Sequence, residues 1–406
     1  MIACVACGGS RIDDFLDLGL TALANKFLAL EDLSNKESHF PLVVGSCLDC
    51  GHVQLTYRVP PAEMFDDYLY ISSLSSTLVN HLRDLAKVVV EREGLSRDDL
   101  VVDIGCNDGT LLSGFKALGV HTLGVDPARN LQPLASKNGI ESIVAYFGRN
   151  VAEEIVSTKG RAAAMTATNV FPHIPDMSDL MAGADVLLRP GGTFVLEAHY
   201  LGDLIEHCAF DTVYHEHVSF WSLKSAIALF KRFGFEVIDI ARLPIHHGQL
   251  RLFVRRKGEG TIAPAVAELL AWEDRVGLTS LPNLRAFAAK VQAIKIKLHA
   301  LLARLRKEGL TVAGYGAPAK GSTLITFLGL GPETIPWIAD KSPLKQGRFT
   351  PGSHIPIVSP ARIETDKPDY MLLLAWNFAE EIMKEQKEFR ARRGRFILPV
   401  PDVEIV

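Results

Sequence analysis

The chain lacks the features that mark membrane, secreted and nucleic-acid-binding proteins. Its 406 residues include no apolar run long enough to cross a bilayer, and the longer ones, such as 371–376, are far too short. No apolar stretch precedes Cys4, so we expect no signal peptide. A net charge of −4 supplies no basic excess of the kind that nucleic-acid binding needs. Only six cysteines are present, and we expect a cytoplasmic location without a membrane or nucleic-acid partner.

Four of the six cysteines form two Cys-x-x-Cys pairs, Cys4 with Cys7 and Cys47 with Cys50. Two residues between the sulfurs let one tight turn direct both thiolates at one point. Two such turns complete the tetrahedron in which Zn²⁺ is bound by four thiolates. Disulfides are the alternative, but a reducing compartment disfavours them, and no strand-then-helix pattern frames a redox pair. The sequence therefore predicts a structural zinc.

The rest of the chain alternates between strand and helix patterns, which predicts an α/β fold with a parallel, doubly wound sheet. Predicted strands lie at 99–105, 121–127, 141–147, 162–170 and 193–199, with an antiparallel closing pair at 235–243 and 249–257. Predicted helices cover 75–93, the bridging stretch 262–308, a segment from about Ser322 and a charged segment after 377. A second, smaller α/β unit has predicted strands at 311–317, 334–340, 369–377 and 395–401. We expect three domains, a loop-rich zinc module at 1–75, then 76–258 and 259–406.

A first candidate site lies where the strand at 99–105 runs into a glycine turn. Gly105 and Gly109 let a ligand approach the backbone, and Asp103 at the strand end can meet a cationic group. Asp126 ends the next strand, where a carboxylate can accept hydrogen bonds from both ribose hydroxyls. Asn107 and Asp108 lie in the same turn. The pattern resembles the S-adenosylmethionine loop of class I methyltransferases; the alternative is a corner without a ligand.

A second candidate site is the run of four ionisable residues Tyr214, His215, Glu216 and His217. A histidine base, a carboxylate that orients it and a phenol that holds an oxyanion suit proton abstraction. In a strand the four side chains would alternate between two faces, whereas in a loop they can converge. A second metal site and a polar surface loop are the alternatives.

Further candidates follow other predicted strands or precede the main fold. Asn169 and His173 follow the fourth strand and can point at an acceptor, although a loop histidine is usually structural. Tyr68 and Tyr70 belong to a segment that is either a lid or aromatic packing. In the second unit, Lys320 follows a glycine-rich turn and suits a diphosphate, the alternative being a solvated lysine. Nearby positively charged or titratable residues are Lys341, Lys345, His246, His247 and Arg251.

Taken in order, these motifs resemble one family over essentially the whole chain, the zinc-containing sugar C-methyltransferases. The matching motifs are the paired Cys-x-x-Cys, a Tyr-rich Ser-x-x-Ser stretch, Ile-Gly-x-Asn-Asp-Gly, Tyr-His-Glu-His, Gly-Tyr-Gly-Ala-x-x-Lys-Gly and Ala-Trp-Asn. That family adds a methyl group at C3 of nucleotide-linked 4-keto-6-deoxy sugars. One departure lies at 247–251, where the bulkier Gln249 stands in a stretch that usually has Gly-Gly-Ser. We expect it to alter how the sugar or nucleotide is held.

The resemblance implies a class I methyltransferase domain flanked by a zinc module and a smaller Rossmann-like domain that helps to hold the nucleotide sugar. It implies S-adenosylmethionine and structural zinc as cofactors and a monomer or homodimer. The implied catalytic residues are His217, Glu216, Tyr214, His173 and Tyr70. The implied cofactor-binding residues are Asp103, Gly105, Asn107, Asp108, Gly109, Asp126 and Asn169. The implied substrate-binding residues are Tyr68, His215, Arg251, Lys320 and Lys341. Two alternatives stay open, an O- or N-methyltransferase and a non-catalytic zinc-knuckle binding protein.

Overall fold

Three β-sheets organise the chain, and most strands of each sheet come from one stretch of the sequence. The structure is a computed structural model that describes residues 2–66, 68, 70–245 and 248–406. His246 and His247, which the sequence placed near the junction of the two α/β units, lie outside the described residues.

The N-terminal sheet is antiparallel, and its strands stand in the order β1-β2-β3-β9. They are β1 (Ile12–Thr21), β2 (Phe40–Cys47), β3 (Val53–Leu55) and β9 (Ser219–Phe220). The prediction of a loop-rich start missed these strands, although turns and irregular segments still connect them. Leu16 and Leu18 point inward from β1, but aspartates crowd the opposite face and obscure the alternation in the sequence. A short helix, α1 (Ala62–Phe65), follows the sheet.

The middle sheet has seven strands in the order β10-β11-β8-β7-β4-β5-β6. They are β4 (Leu100–Ile104), β5 (His121–Val125), β6 (Ser142–Ile143), β7 (Ala162–Thr168), β8 (Leu188–His199), β10 (Phe235–Leu243) and β11 (Gln249–Arg256). Only β11 runs antiparallel to its neighbours, which confirms the predicted closing pair. The third predicted strand is reduced to two residues, and the fifth begins earlier than predicted.

Helices cover both faces of this sheet. They are α2 (Ser76–Glu93), α3 (Thr110–Ala117), α4 (Gln132–Lys137), α5 (Arg149–Lys159), α6 (Met177–Leu187), α7 (Leu201–Glu206) and α8 (Leu223–Arg232). The predicted helix α2 begins where the Ser75 side chain accepts from the Leu78 N–H, and it ends at Gly94 in a left-handed conformation.

The C-terminal sheet has the order β14-β13-β12-β15-β16-β17, and only β17 is antiparallel. Its strands are β12 (Val312–Tyr315), β13 (Ile338–Ala339), β14 (Ile357–Val358), β15 (Tyr370–Leu373), β16 (Arg395–Leu398) and β17 (Glu404–Ile405). The helices of this part are α9 (Pro264–Arg275), α10 (Leu281–Lys307), α11 (Ala319–Leu328), α12 (Arg362–Asp366), α13 (Ala379–Glu385) and α14 (Lys387–Ala391).

Two helix predictions in this region need correction. Helix α11 begins at Ala319 rather than near Ser322, so Lys320 lies in its first turn. The charged segment after 377 forms two short helices because Gln386, with φ −89° and ψ 46°, interrupts the helical backbone. The long helix α10 links the N-terminal sheet to the C-terminal unit: Arg285 pairs with Asp13 of β1, and Lys297 pairs with Asp402.

Among the described residues, no helix combines the length and apolar character that a membrane crossing demands.

The carboxyl edges of the two parallel sheets meet across residues 211–217, which we call the reaction loop. On the middle sheet the loop contacts the end of β8, where the His199 ring lies 5.0 Å from the His217 ring. On the C-terminal sheet, the Trp376 Nε1, just after β15, donates to Asp211 Oδ2 at 2.7 Å. Ligands of open α/β sheets bind outside the carboxyl ends of strands, so this junction is where a site is expected.

Candidate functional site

The four predicted zinc ligands converge at one end of the N-terminal sheet. All four Sγ atoms lie within 4.8 Å of one another, with Cys4–Cys50 and Cys7–Cys47 each 3.6 Å apart. A tetrahedral Zn²⁺ with bonds of about 2.3 Å requires sulfurs about 3.8 Å apart, so the thiolates fit the ion. The described residues bring together no second cluster of this kind.

Each zinc knuckle is a tight turn that closes on a glycine. The Gly8 N–H donates to the Cys4 carbonyl at 2.9 Å, and the Gly51 N–H donates to the Cys47 carbonyl at 2.8 Å. Both glycines have positive φ, 81° and 75°, which a side chain would strain. Because Cys47 ends β2, pairing of β1 with β2 fixes where the second knuckle stands relative to the first.

The predicted cofactor turn leaves β4 through two left-handed glycines, Gly105 with φ 69° and Gly109 with φ 77°. A Cβ on Gly105 would come within 2.7 Å of the Val170 side chain, so the turn lies directly against the segment after β7. Gly109 caps helix α3. The turn therefore brings bare backbone to the carboxyl edge of the sheet, as a bound nucleoside requires.

Two acidic residues flank this turn. Asp126 Oδ2 accepts from the Asn107 N–H at 2.8 Å, and its Oδ1 accepts from the Ala128 N–H at 2.9 Å, so both oxygens have lone pairs left for a ribose. Asp103 is buried and accepts from the Thr166 hydroxyl at 2.6 Å. Burial raises the pKa of Asp103 to about 7 although the Thr166 bond opposes it.

The side chains of Asn107 and Asp108 hold residues 70–73, which we call the strap. Asn107 Nδ2 donates to the Tyr70 carbonyl at 3.0 Å, and Asp108 Oδ2 accepts from the Ser73 N–H at 3.1 Å. The strap thus lies against the glycine turn. These two predicted cofactor residues therefore use polar side-chain atoms to hold the strap.

Replacing Asp126 by alanine is expected to weaken S-adenosylmethionine binding by about ten- to one-hundred-fold, because hydrogen bonds from the ribose to a carboxylate are lost. Isothermal titration calorimetry measures the change. The exposed Asp98, at the opposite end of the sheet, supplies the control variant Asp98→Ala. Equal affinity of the two variants would contradict the ribose role.

His217 ends the reaction loop and lies in a turn, not on one face of a strand. The His217 N–H donates to the Tyr214 carbonyl at 2.9 Å, which closes a turn that folds the Tyr214 ring to 4.1 Å from the histidine ring. His217 Nδ1 lies 2.6 Å from the Thr212 carbonyl. A carbonyl only accepts, so Nδ1 carries the proton and Nε2 holds the free lone pair.

A second histidine stacks on the first. The His173 ring lies 5.1 Å from the His217 ring on one side and 5.3 Å from the Phe65 ring on the other. Burial lowers the pKa of His217 to about 4 and the pKa of His173 well below its usual value. Both imidazoles are therefore neutral near pH 7, which is the state a proton acceptor needs.

Glu216 does not touch His217, so the predicted carboxylate that orients the base is replaced by the Thr212 carbonyl. Its Oε2 accepts from the Tyr68 hydroxyl at 2.9 Å, and its Oε1 accepts from Asn25 Nδ2 at 2.7 Å. Burial raises the pKa of Glu216 to about 7 although both hydrogen bonds oppose the rise. Tyr68 lies beside Tyr70, with ring centres 6.5 Å apart.

His215 points away from the other three residues of the predicted tetrad. Its Nε2 lies 3.2 Å from the Pro41 carbonyl, and its ring meets the Phe40 ring edge-on at 5.8 Å. It therefore packs against the N-terminal sheet. Tyr70 keeps 46% of its surface exposed. The substrate-binding role of His215 and the catalytic role of Tyr70 stay predictions.

Arg251 and Asn169 lie at the carboxyl edge of the middle sheet, each with a protein partner. Arg251 pairs with the buried Glu197 at 2.6 Å, and His81 holds the other carboxylate oxygen at 2.7 Å. Gln249 Nε2 donates to Asn169 Oδ1. The buried Oε1 of Gln249 has no partner among the described residues, so this amide can still accept a hydrogen bond.

The two predicted lysines of the C-terminal unit have different surroundings. Lys320 Nζ lies 4.0 Å from the centre of the Trp376 ring, facing the reaction loop through Asp211. Burial lowers the pKa of Lys320 to about 8, and the Asp211 charge opposes the change. Lys341 is more than half exposed and pairs with Glu385 on the surface. The structure thus brings Lys320, but not Lys341, to the reaction loop.

Sequence reasoning missed Asn25, Asp211 and Glu197. Asn25 lies 191 positions from its partner Glu216, and no local pattern signals such a pair. Asp211 lies three residues before Tyr214, and an acid so close to a candidate base was a signal that could have been used. Glu197 lies within a predicted strand, where a charged residue among apolar ones was a second signal.

Three family models match the chain in sequence. They describe a zinc binding domain at residues 4–65, a methyltransferase domain at 79–240 and a C-methyltransferase C-terminal domain at 244–401. C-methyltransferase NovU from Streptomyces niveus is 39% identical over 404 residues, which cover 99% of this chain and 96% of that protein. A ubiquinone biosynthesis O-methyltransferase from Rhodopseudomonas palustris is 29% identical over 29% of this chain and 48% of its own length.

Solved structures of methyltransferases that match part of the chain include two at low identity. Magnesium protoporphyrin IX methyltransferase from Synechocystis PCC 6803 is 13% identical over 44% of this chain and 83% of its own, with a TM-score of 0.34. An S-adenosylmethionine-dependent methyltransferase from Anabaena variabilis ATCC 29413 is 14% identical over 50% of this chain and all of its own, with a TM-score of 0.36.

Proposed function

This chain belongs to the family of zinc-containing, S-adenosylmethionine-dependent C-methyltransferases, and we propose that it methylates C3 of a nucleotide diphosphate 4-keto-6-deoxy sugar. The observation that carries the proposal is His217, whose Nδ1–H is held by a carbonyl and whose neutral ring stands between Tyr214 and His173. This arrangement suits removal of a proton from carbon. O- and N-methyl transfer, the remaining alternatives, can also use a histidine base, but they form no enolate and so need no donor beside the base for an enolate oxygen.

In the proposed reaction the C4 ketone of the sugar acidifies the C3–H bond. His217 Nε2 takes that proton, and the electron pair of the broken bond spreads onto the C4 oxygen. Burial and the nearby Glu216 charge raise the pKa of Tyr214 well above its usual value, so its hydroxyl stays protonated and can donate to the enolate oxygen. One such donor is worth about 3–4 kcal/mol at an oxyanion. The His173 imidazole, whose Nε2 is buried without a partner among the described residues, is the second candidate donor.

The cofactor turn and Asp126 would hold S-adenosylmethionine, which when bound would supply an electrophilic methyl group to the C3 carbanion, its sulfur keeping the electron pair of the broken S–C bond. The protein's contribution is to hold the sugar carbon in line with that group and to keep water out. Proximity of this kind contributes about 7–11 kcal/mol in well-oriented reactions. Cys4, Cys7, Cys47 and Cys50 would hold zinc through four thiolates, which would leave no ligand position for substrate, so its role would be structural.

The test is to incubate the protein with methyl-labelled S-adenosylmethionine and a panel of nucleotide ketosugars, and to follow products by mass spectrometry and carbon NMR. We expect a methyl carbon attached to C3 and, in D₂O without the methyl donor, deuterium at C3. Methylation at oxygen or nitrogen without exchange at carbon would support the O- or N-methyltransferase. Methylation at another sugar carbon would keep the mechanism and correct the position.

Replacing Lys320 by methionine is expected to raise KM for the nucleotide sugar by about ten-fold or more, because a buried cation facing the site suits a diphosphate. The affinity for S-adenosylmethionine should not change. Lys341→Met is the matched variant, since Lys341 pairs with Glu385 at the surface. If Lys341→Met raises KM as strongly as Lys320→Met, the site lies nearer the surface than we propose.

A further inference from the structure

We propose that Asn25, in the zinc-bearing N-terminal segment, is a positioning residue of the reaction centre that holds the Glu216 carboxylate. The inference rests on the proposed function only where it speaks of catalysis. It assigns the N-terminal segment a part in the reaction in addition to its part in folding.

The Glu216 carboxyl group is enclosed by two different parts of the chain. Asn25 donates to one oxygen at 2.7 Å and Tyr68 donates to the other at 2.9 Å, and Glu216 is only 4% exposed. Both partners approach as donors, so together they favour the ionised carboxylate. A buried carboxylate that loses one of two donors keeps its full desolvation cost, which makes each donor important.

The Asn25 side chain is itself held by an interface and not by a free loop. The turn around it is closed by the Lys26 N–H, which donates to the Leu23 carbonyl at 3.0 Å. Leu28 then exchanges two backbone hydrogen bonds with Phe349 of the C-terminal unit, at 2.9 and 3.0 Å. The segment that presents Asn25 is thus clamped between the N-terminal sheet and the C-terminal unit.

Two further contacts hold the segment that carries Asn25 against the C-terminal unit. Arg348 donates to the Phe27 carbonyl at 3.3 Å, and Lys345 Nζ lies 5.0 Å from the centre of the Phe27 ring. Asn25 therefore stands where the two outer parts of the protein meet, and its amide reaches the reaction loop of the middle part. A residue that only packed at this junction would not need to donate a hydrogen bond to a buried carboxylate, as Asn25 does to Glu216.

The charge of Glu216 acts on its neighbours. The titratable groups that face it are the Tyr68 and Tyr214 phenols, and burial together with the Glu216 charge holds both pKa values well above the usual range. Asn25 therefore fixes the position and the charge of the carboxylate that faces the Tyr214 phenol. The positioning role thus extends to the phenol that we place at the developing oxyanion.

Two variants test the role, Asn25→Ala, which removes the donor, and Asn25→Asp, which keeps the shape and adds a second acid. We expect each to lower kcat by about ten- to one-hundred-fold with smaller effects on KM. Each should also move the acid limb of kcat to higher pH, since losing a donor or gaining a neighbouring acid disfavours the ionised Glu216. Asn35→Ala and Asn35→Asp, at an exposed position of the same segment, are the controls.

A direct readout needs no substrate. In protein labelled with [5-¹³C]glutamate, the Glu216 carboxyl resonance is assigned by its loss in Glu216→Gln, and its titration midpoint is followed by NMR. The midpoint should lie near the pKa of about 7 in the wild type and rise in both Asn25 variants. An unchanged midpoint and acid limb would overturn the proposal, even if activity falls.

Zinc content and Tm are measured for every variant, and the shape-preserving Asn25→Asp carries the test if Asn25→Ala is unstable. Loss of activity in proportion to lost zinc, with the Glu216 midpoint unmoved, would leave Asn25 a purely structural residue. If the wild type methylates no ketosugar, the proposed function fails, whereas the carboxyl titration still decides the Asn25–Glu216 link.

Discussion

Replacing His217 by asparagine is expected to lower the rate of methyl transfer by about 10²–10⁴-fold, the usual contribution of a positioned general base. Asparagine can keep the hydrogen bond to the Thr212 carbonyl through its amide, but it has no basic nitrogen to place where Nε2 stood. Binding of both substrates should change little, because the lost interaction is made in the transition state.

The decisive measurement for His217 is deuterium exchange at C3 of the ketosugar, followed by NMR without a methyl donor. The wild type should wash deuterium in, and His217→Asn should not. His121→Asn, at the exposed start of β5 and on the opposite edge of the sheet, is the control. Full exchange and turnover in His217→Asn would remove this residue from the base role and point to His173.

Replacing Cys47 by serine is expected to release zinc and unfold the N-terminal sheet. Structural zinc contributes about 10–16 kcal/mol to folding in zinc-finger peptides, which matches or exceeds the whole stability of a typical domain. Cys47 also ends β2, so the loss of the ligand frees the strand that pairs with both β1 and β3. Few single substitutions in this chain should cost more.

Metal content by mass spectrometry and hydrogen exchange of residues 40–55 together test the zinc prediction. Cys208→Ser is the matched variant, because Cys208 is buried but remote from the four zinc ligands. This variant should retain one zinc per chain, and the amide hydrogens of β2 should still exchange slowly. Equimolar zinc and protected β2 amides in Cys47→Ser would show that three thiolates suffice.

The sequence predicted the middle sheet well because its strands are buried on both faces and interrupted by helices at regular intervals. Strands β4, β5 and β7 coincide with largely apolar runs in the sequence. The alternation of such runs with helices is typical of a parallel sheet. Strand β1 escaped prediction because its exposed face is acidic, and a Gly at its far end resembles a loop. Continuous apolar runs therefore identify strands best where both faces of the sheet are buried.

The cluster of candidate groups was visible in the sequence, but the partner of each group was not. His217, Glu216 and Tyr214 stood out as adjacent ionisable residues. Their hydrogen bonds go to Thr212 and to residues as distant in sequence as Asn25. A backbone carbonyl carries no side-chain signature, and a contact across 191 positions leaves no local pattern. Motifs therefore predicted the chemistry, and only the fold could assign the orientation.

The pairing of β3 with β9 has a consequence for how such proteins can be recombined. Only one residue separates the reaction loop from β9 in the chain. The two residues of β9 nevertheless form the last strand of the N-terminal sheet, which carries the metal ligands. If the first 60 or so residues were exchanged between relatives, Ser219–Phe220 of one protein would have to pair with strand β3 of another. A poorly paired edge strand favours self-association. Functional chimeras should therefore take the N-terminal segment and β9 from the same parent protein.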